Sequence, residues 1–310
     1  MTVVSATRHQ RVDLEFLGYP GVIASFIFDS DDEIGLVETG PSTTLPVLLR
    51  ALDNRKDGLE RLTSVIVTHI HLDHAGAVGT LLRRAPNARV YVHPAGARHL
   101  VDPSRLLRSA RRIYGNQMDQ LWGDVVPVPE DRVVAVEDGQ ELKVGDTLLR
   151  AMYTPGHASH HIALHEPSSR AVYMGDLVGV RLEGSAYVRP ATPPPDVDLD
   201  AWEQSLRSVE ALQPETLELT HFGSVTSDIG GLITEFRRRL GAWMELVRLA
   251  VEEGQEPATI VDSLRREGDP ELLSQGATAG LMQAYELATP YGMTVAGLLR
   301  YLEKNPSGHV

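Results

Sequence analysis

THIHLDHAG, residues Thr68 to Gly76, sets three histidines and an aspartate within the six positions from His69 to His74. The residues before it, Leu62 to Thr68, include four aliphatic side chains, and the β-branched Val65, Ile66 and Val67 make the segment a buried strand. Ala77 to Ala85 (AVGTLLRRA) has a helical pattern, so the polar cluster falls where a strand turns into a helix. Packing does not explain such a cluster, because each buried imidazole or carboxylate needs its own partner. A metal ion supplies one. His69 and His71 stand two apart and point the same way on an extended backbone, while Asp73 and His74 come as the chain turns and can face a second ion. The spacing therefore predicts a two-metal site. A chance cluster on a polar loop is the alternative, and the flanking strand and helix weigh against it.

The chain has 310 residues, of which 42% are hydrophobic and 23% charged, an ordinary globular composition long enough for one large or two ordinary domains. It has no cysteine, so any metal must be held by histidine and carboxylate, and disulfides are excluded. That usage fits a cytoplasmic protein. The N-terminus has no apolar core of signal-peptide length, and no apolar run approaches a membrane span. A net charge of −13 disfavours nucleic acid as the main partner, since phosphate binding draws on a basic surface.

Val12 to Leu17, Val22 to Asp29 and Ile34 to Glu38 read as an antiparallel β start, and Ser42 to Leu52 as a helix. Asn87 to Val92 is a further strand. His93 and His99 beyond it read as structural, because neither has a neighbour at ligand spacing. Asp102 to Trp122 is expected to be helical, and its Arg105, Arg108, Arg111 and Arg112 read as a solvated face in preference to an anion-facing one. Val133 to Val136, Gln140 to Val144 and Thr147 to Tyr153 open a second β-rich half.

Strands of that half also end in polar residues: TPGHASHH after Tyr153, with His157, then Gly175-Asp176, then His221. Each alone is an ordinary turn or hydrogen-bonded residue, and their joint occurrence carries the weight. Val180 to Asp200, with Pro190 and Pro193 to Pro195, reads as a long stiffened loop of the kind that forms lids. Tyr187 and Arg189 on it are candidate substrate contacts. From Ser227 onward the pattern is helical, with Phe236, Leu240, Trp243, Leu246, Val247 and Ala250 at three- and four-residue steps. Arg237, Arg238 and Arg239 read as a solvated face. The expected division is a catalytic domain over residues 1–226 and a helical extension over 227–310, the latter serving dimerisation to a homodimer or substrate enclosure.

With THIHLDHAG followed in order by His157, Asp176 and His221, the sequence resembles the metallo-β-lactamase fold superfamily over about residues 10 to 225. PGHASHH and the Gly-Asp element look most like the hydroxyacylglutathione hydrolase (glyoxalase II) branch. The resemblance implies an α/β fold, a four-layer αββα sandwich with the site at one edge between two sheets. It further implies that His69, His71 and His157 bind a first divalent ion, that Asp73, His74 and His221 bind a second, and that Asp176 bridges them. One departure is Glu38, in LVETG, where the family carries aspartate behind the ligands. His161 is a further candidate for a supporting contact.

Two divalent ions, zinc first with iron or manganese as alternatives, would activate a bridging hydroxide as nucleophile, with Asp73 orienting it. The expected activity is hydrolysis of an ester, thioester or lactone of a small molecule. Phosphodiester cleavage is a rival within hydrolysis. A mononuclear iron oxygenase of the persulfide dioxygenase kind is a rival outside it, and a metal-free interaction protein is disfavoured because no expected ligand is missing.

Overall fold

The computed structural model describes residues 9–306. Its first half holds strands β1 (His9–Asp13), β2 (Ala24–Asp29), β3 (Ile34–Val37), β4 (Leu62–Ile66), β5 (Arg89–Val92) and β6 (Val133–Ala135). Between them lie helices α1 (Leu45–Asp53), α2 (Leu72–Ala75), α3 (Val78–Arg84), α4 (Pro94–Val101), α5 (Ser104–Tyr114) and α6 (Met118–Leu121). The second half adds β7 (Glu141–Val144), β8 (Thr147–Tyr153), β9 (Ile162–Glu166), β10 (Ala171–Tyr173), α7 (Leu199–Ala211), β11 (Thr216–Leu219) and β12 (Gly223–Val225). Four helices follow: α8 (Ile229–Glu252), α9 (Pro257–Ser274), α10 (Ala279–Ala288) and α11 (Tyr291–Lys304).

The strands form two six-stranded sheets, β1 to β6 in sequence order and β12 to β7 in reverse order. The first is antiparallel from β1 to β3 and parallel from β3 to β6, and the second is antiparallel except where β10 pairs parallel with β11. The sheets face each other across Phe26, Phe28, Leu142, Leu149, Leu164 and Tyr173, alternate residues of strands whose other face meets helices. Leu36, Val65 and Val90 on the outer face of the first sheet pack with α1 and α3. Val172, Leu217 and Leu219 on the outer face of the second pack with α7 and α8. This is the expected four-layer α/β sandwich.

Parallel strands point their C-terminal ends to one edge, which is how β3, β4, β10 and β11 deliver functional side chains to one place. Backbone bonds from Ile162 N to Thr68 O (2.8 Å) and from Ala24 N to Thr220 O (2.8 Å) tie the two sheets together at that edge.

The C-terminal helices do not build a core of their own. Phe236, Trp243 and Val247 of α8, Leu264 of α9 and Leu298 of α11 share one apolar cluster with Trp202 of α7 and the second sheet. Leu272 and Tyr285 join the cluster of the first sheet instead. Although proline disrupts a helix interior, α9 runs through Pro270 to Ser274, with Leu264, Gly268 and Leu272 on one buried face at four-residue steps. Asp102 to Trp122 is not one helix: the chain turns at Gly115, with φ of 52°, between α5 and α6. Among the described residues no helix is long and apolar enough to cross a membrane.

Candidate metal centre

β4 ends at Ile66, and the next residues carry His69 and His71 outward before α2 brings Asp73 and His74 round on its first turn. β8 leads through Thr154 and Gly156 to His157. Gly156, at φ 148°, lies where a Cβ would meet Trp202 at 2.4 Å, so only glycine lets α7 close behind the histidine. β10 leads to Gly175, at φ 50°, where a Cβ would meet His161 Nε2 at 2.5 Å and Thr68 Oγ1 at 2.7 Å. Asp176 follows, and His221 comes two residues after β11.

These side chains converge as two donor groups. His69, His71 and His157 form one, and Asp73, His74, Asp176 and His221 the other, each with its donor atoms within 4.8 Å of one another. His71 Nδ1 lies 2.9 Å from both His69 Nε2 and His157 Nε2. In the second group His74 Nε2 is 3.1 Å and His221 Nε2 3.5 Å from Asp176 Oδ1, while Asp73 Oδ2 is 3.4 Å from His221 Nε2. The other oxygen of Asp176, Oδ2, is 3.3 Å from His157 Nε2. Asp176 thus presents one oxygen to each group.

The hydrogen bonds on the far side of each ring fix which nitrogen faces inward. His157 Nδ1 donates to Ala191 O (2.8 Å), His221 Nδ1 to Val22 O (2.7 Å) and His74 Nδ1 to Glu38 Oε1 (3.0 Å). Thr68 Oγ1 donates to Glu38 Oε1 (2.5 Å) and so accepts from His69 Nδ1 (3.0 Å). With Nδ1 so engaged, each of these rings turns its Nε2 to the centre, the atom a cation would take. His74 Nε2, His221 Nε2 and Asp176 Oδ1 are buried and have no hydrogen-bond partner. Buried orphan acceptors are costly unless an ion compensates them, so the residues present fit a pair of divalent cations.

Electrostatics divides the two groups. Burial together with neighbouring imidazoles holds His69 and His71 well below the ordinary histidine value, so they are neutral donors. Burial also opposes a charge on His74, yet Asp176, Glu38 and Asp73 outweigh it and raise it well above that value. Burial likewise opposes ionising Asp73, but His74 and His221 outweigh it and bring the carboxyl down to about 2. The second group is thus an anionic cage that demands a cation.

Glu38, just beyond β3, is fully buried behind this cage and holds Thr68 and His74 together. Asp176 N donates to His161 Nε2 (3.1 Å), and His161 Nδ1 donates to Thr154 Oγ1 (2.8 Å). Tyr187 and Arg189 are not where a substrate-binding lid would put them. Both are 1% exposed and face the C-terminal helices, Arg189 reaching Tyr291 Oη (3.1 Å) and Glu286 Oε2 (3.4 Å). The lid reading of their side chains is corrected, because stacking on Tyr285 and Tyr291 holds the guanidinium away from the site. The same loop still borders the site through Ala191 to Asp196.

Arg239, read as solvated, is 1% exposed, bonded to Glu271 and Glu235 and stacked on Tyr187, whereas Arg238 is exposed as expected. His93 is structural, accepting from Ala95 N (3.1 Å) at the start of α4. His99 instead lines a pocket of about 240 Å³ that opens outward from His71, Asp73, His157 and Asp176. His160, which the sequence did not single out, lines it too. Its only signal was its place in the PGHASHH run beside His157.

The sequence profile of the metallo-beta-lactamase superfamily matches residues 18–221. A hydroxyacylglutathione hydrolase of Methylococcus capsulatus is 30% identical over 254 residues, 80% of this chain and 73% of that one. A metallo-beta-lactamase fold-containing protein of Sulfurisphaera tokodaii is 30% identical over 174 residues, 55% of this chain and 64% of that protein. An atrochrysone carboxyl ACP thioesterase of Aspergillus fumigatus is 29% identical over 152 residues, which is 49% of this chain but only 36% of the thioesterase. In three dimensions a metallo-beta-lactamase family protein of Thermus thermophilus superposes with a TM-score of 0.69 over 96% of this chain and 93% of its own, at 19% identity.

Proposed function

Since this chain belongs to the metallo-beta-lactamase superfamily, we propose that it is a two-metal hydrolase that cleaves an ester, thioester or lactone of a small molecule. The observation that carries this reading is Asp176, whose two oxygens each face a different donor group. In this reading His69, His71 and His157 hold one cation, Asp73, His74 and His221 hold the other, and Asp176 joins them. Two such cations, zinc foremost with iron and manganese also suited to nitrogen and oxygen donors, supply acidification of a water and polarisation of a carbonyl.

The chain's own residues do the positioning. Asp73 is the more open carboxylate, 18% exposed against 5% for Asp176, and it lines the pocket, so it is placed to accept a hydrogen bond from the attacking water and orient it. His161 and Glu38 keep Asp176 and His74 in register. Leu72 and the proline-rich 193–195 segment line the approach. Relatives named as an acylglutathione hydrolase and an ACP thioesterase support an acyl substrate.

The test compares two alanine variants for metal content and for turnover of ester, thioester, lactone and phosphodiester substrates. Asp176→Ala is expected to weaken both metals, and Asp73→Ala to leave a single ion held by the first group with Asp176. For the two-metal hydrolase, Asp73→Ala loses about a hundredfold or more in kcat. An Asp73→Ala protein with one iron, oxygen uptake with a persulfide and near-parental turnover would replace hydrolysis by an oxygenase reading.

A further inference from the structure

The pocket beyond the donor groups has two unlike walls. One is apolar, built from Leu106, Ala110, Ile113 and Tyr114 of α5 with Met293 of α11. The other carries Arg98 and His99 of α4, Arg105 of α5 and His160. Burial lowers both His99 and His160 and keeps them neutral, so the charge of this wall is that of two guanidinium groups, on a chain of net charge −13. The helix α5, SRLLRSARRIY, contains four arginines and no acid. Among the described residues neither Arg98 nor Arg105 pairs with a carboxylate, whereas Arg207, Arg237, Arg238, Arg239 and Arg248 on α7 and α8 all do. Two acids stand near this wall: Asp196 accepts from Ser159 Oγ (2.7 Å), and the exposed Asp102, close to His99 and Arg105, accepts from Ser104 N (3.0 Å).

A solvated face accounts for Arg108, Arg111 and Arg112, which do not border the pocket. It does not account for His160. That ring is 8% exposed, lines the same cavity and has a buried Nδ1 with no hydrogen-bond partner. His160, with its unpartnered Nδ1, lines one pocket with Arg98 and Arg105, exposed side chains that pair with no carboxylate among the described residues, Arg98 Nε donating to His99 Nε2 (3.3 Å); together they suit an anion.

We propose that Arg98, Arg105, His99 and His160 recognise an anionic group, a carboxylate or a phosphate, on the leaving-group side of the substrate, while the acyl arm lies against the apolar wall of α5 and Met293. This rests on the hydrolase reading above. In the reaction, water gives its oxygen to the acyl carbon as the bond from that carbon to sulfur or oxygen breaks, and a proton goes to the departing thiolate or alkoxide. The basic wall holds the anionic end of that leaving group and so selects among acyl donors.

The experiment compares butanoyl thioesters of N-acetylcysteamine (neutral), 3-mercaptopropionate (one carboxylate) and coenzyme A (phosphates) on the metal-loaded protein. The parent is expected to prefer the anionic donors in kcat/KM, and Arg98→Ala/Arg105→Ala to lower the ratio of anionic to neutral kcat/KM about tenfold, as the loss of two charge contacts predicts. His160→Phe, with parental metal content, is expected to lower the same ratio. A preference for coenzyme A alone identifies phosphate, and an equal preference for both anionic donors identifies any anion. Equal kcat/KM on all three donors in the parent, or a ratio unchanged in the variants, overturns the proposal. If none of the three is turned over, the thioester branch of the hydrolase reading is what fails. Calorimetric binding of glutarate to the metal-loaded protein then decides the wall separately: about tenfold weaker binding in the double arginine variant upholds it, and unchanged binding overturns it.

Discussion

Glu38 combines complete burial, a φ of 66° and hydrogen bonds to both Thr68 and His74, so a strained backbone position is used to set a carboxylate behind the metal cage. A second buried carboxylate, Glu218, lies apart from the cage, with Ser224 Oγ donating to it (2.7 Å) and His9 Nε2 3.6 Å away. The two are not an ion pair near pH 6: burial pushes the Glu218 carboxyl up to about 7 and, with Arg11, the His9 imidazole down to about 4. A carboxyl whose folded value is raised contributes stability that is complete below its unfolded value and is lost as pH rises through about 7. His9 has the opposite slope at lower pH, so the comparison of variants isolates Glu218. Glu218→Gln is expected to be about as stable as the parent at pH 4.5 and more stable by up to about 3 kcal/mol at pH 8. Urea midpoints measured across that range check it; a difference that does not grow with pH refutes it.

At the scale of elements, α9 to α11 act through a buried cation and tyrosines. Arg189, from the loop after β10, stacks on Tyr291 with its guanidinium carbon 4.0 Å from the ring centroid, and Tyr285 Oη donates to Tyr187 O (2.6 Å). This pins the proline-rich loop to the helices and holds Ala191 O where His157 Nδ1 needs it. Arg189→Ala leaves Tyr291 without its stacked cation and opens a cavity. It is expected to cost about 2 kcal/mol, moderated because Glu286 and Asp269 keep partial contact with water. Thermal denaturation should show that loss while KM for the preferred acyl substrate stays within about twofold. A large rise in KM with an unchanged melting temperature would return Arg189 to the binding site.

For the whole molecule, the sheets are joined by an apolar middle layer and, at one edge, by side chains from both halves aimed at a common centre. His69, His71, Asp73 and His74 come from the first half, and His157, Asp176 and His221 from the second, so a cation held there would crosslink the two sheets. Removing metal with a chelator is expected to abolish hydrolysis and to lower the melting temperature by about 6 °C, the effect of losing about 4 kcal/mol of linked binding energy in a chain of this size. Restoring zinc should restore both. A chelated protein verified metal-free by elemental analysis that keeps its melting temperature would show that the halves are held by the apolar layer alone.

The sequence by itself determined the α/β class, most strands and the helical character of the C-terminal part, because periodicity and turn residues act over a few positions. It also named every side chain now seen converging on the centre, since H-x-H-x-D-H and strand-end polar residues leave a local trace. Only the tertiary structure decided which direction a loop residue faces. Tyr187 and Arg189 look like lid residues in a proline-rich stretch, yet they turn inward because Tyr285 and Tyr291, about 100 positions later, offer aromatic faces. His160 and His99 became pocket residues, and Arg105 separated from Arg108, only when α4, α5 and α11 came together around one cavity. A pocket wall is assembled from segments distant in the chain, so its members carry no shared local signal.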